Sequence, residues 1–169
     1  MTAAADRMGL LVTNKPLLIH ELDYSIDLNP ASLAVGKGPY GMRVIGQARE
    51  GKVTGKRING TIGSGGGDYM LIGDDGFARV DVRTVFETGD GAKIYVQYLG
   101  LLEMTEGVRK VFNGGDTPTD FGDQHFFVTP RMETGDERYA WVNHSTFVAQ
   151  GRLLPGVRIE FRLYRVVNS

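Results

Sequence analysis

Cysteine is absent from this chain, and with it go disulfides, thiolate nucleophiles and thiolate metal centres. A charge excess is missing too. The 19 Lys and Arg residues against 20 Asp and Glu leave a formal charge of −1. No basic surplus is available to neutralise phosphates, so nucleic acid is not expected as a partner. Long apolar runs are lacking as well. Met1 to Val12 hold only a two- or three-residue apolar run after Arg7, too short for a signal segment or a membrane-spanning helix. The expectation is a cytoplasmic protein without a membrane partner. Histidine is scarce, and His20, His125 and His144 fall in no metal-ligand spacing, so neither a metal nor an organic cofactor is expected.

What is present in quantity is glycine, 24 of 169 residues. The glycines recur between short apolar runs, as they do where many strands are joined by turns needing positive φ. Residues 1–15 read as a flexible leader, and 16–169 as a single domain with no internal boundary. From Leu18 to Leu28 apolar and polar residues alternate, the period of a half-buried strand. Further strands are expected at Met42–Ala48, Arg57–Ile62, Tyr69–Ile72, Phe77–Glu87, Lys93–Leu99, His125–Thr129, Thr146–Gln150 and Val157–Val167. Turn signals stand between them at Glu50-Gly51, Gly73-Asp74-Asp75-Gly76, Gly89-Asp90-Gly91 and Pro155-Gly156. Helical signals are confined to Thr105–Phe112, with a Glu106–Lys110 pair at i, i+4, and to Asp136–His144. So many strands in one small domain must curl or split. The fold expected is all-β: one antiparallel barrel of about eight to ten strands, with one or two short helices at its ends.

Strand parity suggests a site. With two- or four-residue turns, Asp68 shares a face with Arg79, Asp81 and Arg83, and Tyr98, Val96 and Ile94 join it from the next strand. Two carboxylates beside a guanidinium and a phenol suit acid–base chemistry, because like charges split their pKa values. The same residues also fit a solvent-facing charge ladder, with Ala78, Val80, Val82, Thr84 and Phe86 as the apolar core. Both readings stay open at this point. A second group, Phe126 to Gly135 followed by Tyr139-Ala140-Trp141-Val142-Asn143, gathers aromatics around Glu133 and the single Trp. It fits either a pocket wall or plain core. Gly63-Ser64-Gly65-Gly66-Gly67 lacks the Lys of a phosphate loop and reads as a turn or bulge.

The segments Gly65-Gly66-Gly67-Asp68-Tyr69, Asp81-Val82-Arg83, Thr88 to Val96, Pro130 to Gly135 and Tyr139 to Asn143 resemble the family catalogued as domain of unknown function 3237, small microbial β-barrel proteins. The likeness runs from about Pro16 to Val166. It implies a barrel interior lined partly by these polar residues, with the Asp68/Arg83 face turned to the lumen. Departures stand at Gly67-Asp68-Tyr69, where the family usually has Ala-Asp-Trp, at Thr84 in place of an aromatic, and at Phe127 in place of an Arg.

The function expected is that of a cofactor-independent acid–base enzyme of lyase, isomerase or cyclase type, acting on a small apolar, aromatic or terpenoid-like molecule. Asp68 would be the base, Arg83 the electrostatic holder and Glu133 the acid. Tyr69, Asp81, Tyr98, His125, Trp141 and Asn143 would shape the binding site. The alternative is a non-catalytic carrier barrel for a similar ligand. Assembly into a homo-oligomer is left open.

Overall fold

The computed structural model describes residues 14–169, so the expected leader lies, up to residue 13, outside the described residues. Alternating apolar side chains build ten strands: β1 (Leu17–Leu28), β2 (Leu33–Gly38), β3 (Gly41–Gly55), β4 (Asn59–Ile62), β5 (Gly67–Ile72), β6 (Phe77–Thr88), β7 (Lys93–Glu103), β8 (Phe126–Glu133), β9 (Thr146–Leu154) and β10 (Arg158–Val167). They pair in the order β1-β10-β9-β8-β7-β6. Then β4 and β5, end to end, share the place between β6 and β3, and β3 pairs back onto β1. The result is a closed eight-stranded antiparallel barrel with β2 carried as an extra strand on β3. Inward side chains such as Phe86, Ile94, Val96, Phe147, Phe161 and Leu163 fill its interior and are almost wholly buried.

Among the described residues, helix is confined to the two places the sequence marks. Helix α1 (Glu106–Phe112) starts at Thr105, whose side chain accepts the Val108 N–H, and it carries the Glu106–Lys110 pair at 2.7 Å. A 3₁₀ segment, Glu137–His144, starts at Asp136 and sits beside β8. It lies where β8 parts from β9: the two pair only through Phe127 and Val128, and Pro130, with no N–H to give, comes just after that. No helix among the described residues is long and apolar enough to cross a membrane.

Two expectations about strands need correction. Glu50-Gly51 is not a turn; β3 runs straight through it from Gly41 to Gly55. A Cβ at Gly51 would come within 2.2 Å of the Ser25 carbonyl oxygen, so this glycine serves close strand approach. And β2, with its two glycines and exposed face, carried too weak a pattern to be expected.

The turns that set the faces of β6 are the third correction. Gly73 N–H bonds the Phe77 carbonyl at 2.8 Å, leaving a three-residue loop, Asp74-Asp75-Gly76, with Gly76 at φ 83°. Between β6 and β7, Thr88 N–H bonds the Ala92 carbonyl at 2.9 Å, and Gly91 has φ 90°. Each is a three-residue turn closed by a left-handed glycine. Odd loops invert the facing that two- or four-residue loops would give. Asp68 therefore stands opposite Val82, and Val82 opposite Tyr98. The two inversions cancel for Asp68 and Tyr98, which do share the inner face. They do not cancel for β6: Arg79, Asp81 and Arg83 turn outward, and Ala78, Val80, Val82, Thr84 and Phe86 turn inward.

Where the barrel closes, a bulge in β1 between His20 and Leu22 buries Glu21. Arg57 and Arg165 each reach its carboxylate at 2.7 Å, and Arg57 also lies 3.4 Å from the centre of the Trp141 ring.

Candidate functional site

One row of residues crosses the barrel wall on its inner side: Gly46, Asp68, Val82, Tyr98 and Pro130 are successive cross-strand partners on β3, β5, β6, β7 and β8. Asp68 is the charged member of the row and is only 7% exposed. Its placement depends on a local break in pairing. The β5–β6 ladder runs through Gly67 and Asp68, skips Tyr69 and Met70, and resumes at Leu71. In the gap the Asp81 N–H donates to Asp68 Oδ1 at 3.0 Å, so a side-chain carboxylate takes the place of a ladder carbonyl.

Two hollows have Asp68 in their walls. The inner one is about 20 Å³, room for a single water-sized group, and is walled by Val80, Val82, Thr84, Tyr98, Phe126 and Phe161 among others. The outer one is about 220 Å³ and runs past Leu28, Val80, Phe126 and Ile159 to Pro30, Ser32, Val157 and Phe112 of α1. Val157 sits at that lip with φ 58°, a left-handed conformation that is strained for a β-branched residue. Neither lining contains a lysine or an arginine.

The electrostatics follow from this seclusion. Burial is the main cause that lifts Asp68 from 3.8 to about 7; the Asp81 N–H and the more distant Arg43 pull the other way, and the Asp81 charge adds to the rise. Arg43 itself is hydrogen-bonded to the Tyr69 carbonyl. Burial also pushes the Tyr98 phenol well above its ordinary value, and the Asp68 charge pushes it further. Tyr24 faces Tyr98 across the lumen, ring centres 6.3 Å apart, and stacks on Phe161 at 4.9 Å. The two phenols lie close enough to act on each other's titration, but no well-formed hydrogen bond joins them, and among the described residues the buried hydroxyl of Thr84 has no partner.

Of the residues singled out in the sequence, the structure thus brings Asp68 and Tyr98 together inside the barrel. The others lie elsewhere. Asp81 and Arg83 pair with each other at 3.0 Å on the outer surface, 35% and 47% exposed, so the expected inward guanidinium is absent and Asp81 hydrogen-bonds Asp68 through its backbone alone. Tyr69, next to Asp68 on a strand, points outward and is 45% exposed. Glu133 and Asn143 line a separate outer depression with Tyr95 and Lys93. There Asn143 clamps the turn after β8, accepting from Thr134 N–H at 2.8 Å and donating to the Thr134 carbonyl at 3.0 Å. His125 is exposed between Phe77 and Phe127. Trp141 is half-buried against Phe147 and Arg57, outside both hollows. Tyr24 and Thr84 were missed as polar lumen groups. Each sits in an alternating apolar pattern, which assigned it to the core without asking whether its hydroxyl had a partner.

The barrel and its contents have relatives. A UPF0311 protein of Rhodopseudomonas palustris is 33% identical over 109 residues, which is 64% of this chain and 70% of that one. The crystal structure of a conserved protein of unknown function from the same species superposes with a TM-score of 0.82 at 25% identity, covering 90% of this chain and 99% of the other. A crystal structure described as that of an enzyme from Penicillium herquei superposes with a TM-score of 0.65, covering 90% of this chain and 95% of the other; at 18% identity the likeness is one of fold alone. A family model matches residues 16–166, nearly the whole chain with the Asp68 row inside it, and the chain therefore belongs to the family of proteins of unknown function DUF3237.

Proposed function

We propose that this barrel is a cofactor-independent acid–base enzyme whose substrate is a small, largely apolar molecule held in the hollow at Asp68. The observation that carries the reading is Asp68 itself: a carboxyl group buried in an apolar wall, facing space for a ligand, and raised to about 7. A group that titrates near neutrality can both take and return a proton at working pH. Tyr98, on the same inner row, is a phenol held protonated by burial and by the Asp68 charge, and so a hydrogen-bond donor to a developing oxyanion. Lyase, isomerase or cyclase chemistry needs no more than one such proton carrier in a dry site. That a protein of the same fold is described as an enzyme supports the reading.

A carrier is the second reading, favoured by a specific observation. The hollows contain no second carboxylate, histidine or guanidinium beside Asp68, so a two-residue acid–base pair is not assembled there. Proton exchange separates the two readings. The protein is incubated in D₂O with aromatic and terpenoid ketones, enones and phenols, and deuterium uptake at carbon is followed by NMR. The enzyme reading expects uptake for at least one of them, slowed about 10²- to 10⁴-fold in Asp68→Asn with binding retained. Compounds that bind in the lumen without any exchange would establish the carrier instead.

A further inference from the structure

We infer that the lumen is built for an organic ammonium ion, a primary or secondary amine on an apolar skeleton, with its nitrogen at Asp68. The inference rests on the lumen being a small-molecule site and adds the charge and head group of the occupant.

The chain's own treatment of buried carboxylates carries the argument. Among the described residues three are buried, Glu21, Asp27 and Asp68, at 7%, 8% and 7% exposure. Glu21 is neutralised by Arg57 and Arg165, each at 2.7 Å, and Asp27 by Arg158 at 2.6 Å. Asp68 has no ion-pair partner among the described residues: one oxygen accepts the Asp81 N–H, and Arg43 acts on it only from a distance. A buried carboxylate without a counter-ion is costly, and here the empty position opposite it is a ligand hollow with no lysine or arginine in its lining. A cation arriving there gains Coulomb attraction in a low dielectric, whereas a carboxylate or phosphate would meet like charge.

The rest of the lining suits the same head group. An ammonium ion has hydrogens to donate and no lone pair to accept with. The inner hollow offers the second Asp68 oxygen as an acceptor, and no side-chain N–H donor. Tyr98, Phe126 and Phe161 line the same hollow, and an aromatic ring close to a cation attracts it through its face.

The test uses the full-length protein and three probes on one skeleton: 3-phenylpropylamine, 3-phenyl-1-propanol and 3-phenylpropionate. Affinity is measured by calorimetry at pH 7.5, and the site by amide shift changes at Val80, Thr84 and Tyr98. The amine should bind at least about tenfold tighter than the alcohol, a difference of roughly 1.4 kcal/mol, with the carboxylate weakest. Asp68→Asn should erase the preference for the amine while leaving alcohol binding in place. Equal or tighter binding of the alcohol, with lumen shifts, would overturn the ammonium inference and leave the lumen as a ligand site. If none of the three probes moves the lumen amides, the ligand-site reading falls, and this inference with it.

Discussion

At the scale of the residue, Asp68 and the other two buried carboxylates bias stability in opposite directions with pH. A carboxyl raised from 3.8 to about 7 holds its proton more tightly in the folded chain than in the unfolded one. Ionising it therefore costs stability, and the cost grows as pH rises from about 4 and is complete above about 7. A shift of roughly three units corresponds to at most about 4 kcal/mol. Asp68→Asn should then melt higher than the parent at pH 8.5, with the gap closing toward pH 4, as followed by calorimetry. A parent that is equally or more stable than the variant at pH 8.5 would show that Asp68 is not held in a carboxylate-hostile site. Asp68 was legible in the sequence because a lone acid between glycines and an apolar run stands out. Its surroundings were not, because the faces of β6 hang on loop lengths that residue types alone leave ambiguous between two, three and four.

At the scale of the element, the hairpin turns decide which side chains enter the lumen. Gly76 is left-handed at φ 83°, and a Cβ there would meet nothing within 4 Å. Substitution should thus cost backbone conformation alone. Gly76→Val should destabilise by about 1–2 kcal/mol and Gly76→Asn by less, since Asn visits this conformation readily; urea unfolding of the two variants measures the difference. Equal costs would mean that the turn does not hold the left-handed residue. Strand existence was readable wherever apolar residues alternate, as in β1 and β6. It failed where glycine served a different purpose, as at Gly51, where the spacing of two strands rather than a change of direction requires it. Asn143, singled out beside the aromatics, turned out to staple a turn through Thr134, a use of an amide that no spacing rule separates from ligand binding.

At the scale of the whole molecule, closure depends on β1 finding both β10 and β3. Glu21 sits on that seam and joins all three through Arg165 of β10 and Arg57 beyond the end of β3. Burial pushes its pKa up, yet the two arginines outweigh burial and hold it below 4.5. It therefore contributes stability above that value and loses it as pH falls through its folded pKa. Glu21→Gln should cost about 1–3 kcal/mol at pH 7, the loss of charge-assisted hydrogen bonds from two partly exposed arginines to a buried carboxylate, and progressively less toward pH 3; paired melting curves read this directly. A penalty that does not shrink in acid would assign the effect to packing instead. Closure itself was readable as an outcome of many short strands, whereas the bulge that admits Glu21 was not, because it interrupts an otherwise regular alternation. A side chain at Gly76 or Gly91, in the two turns that flank β6, would meet nothing within 4 Å. A residue added at either tip lengthens the loop and leaves the partners of β5, β6 and β7 as they are. A residue added inside β6 has no loop to take it up, and unless a bulge absorbs it the strand beyond slips by one and exchanges its core and surface faces. Length variation belongs to the tips of this barrel and not to its staves.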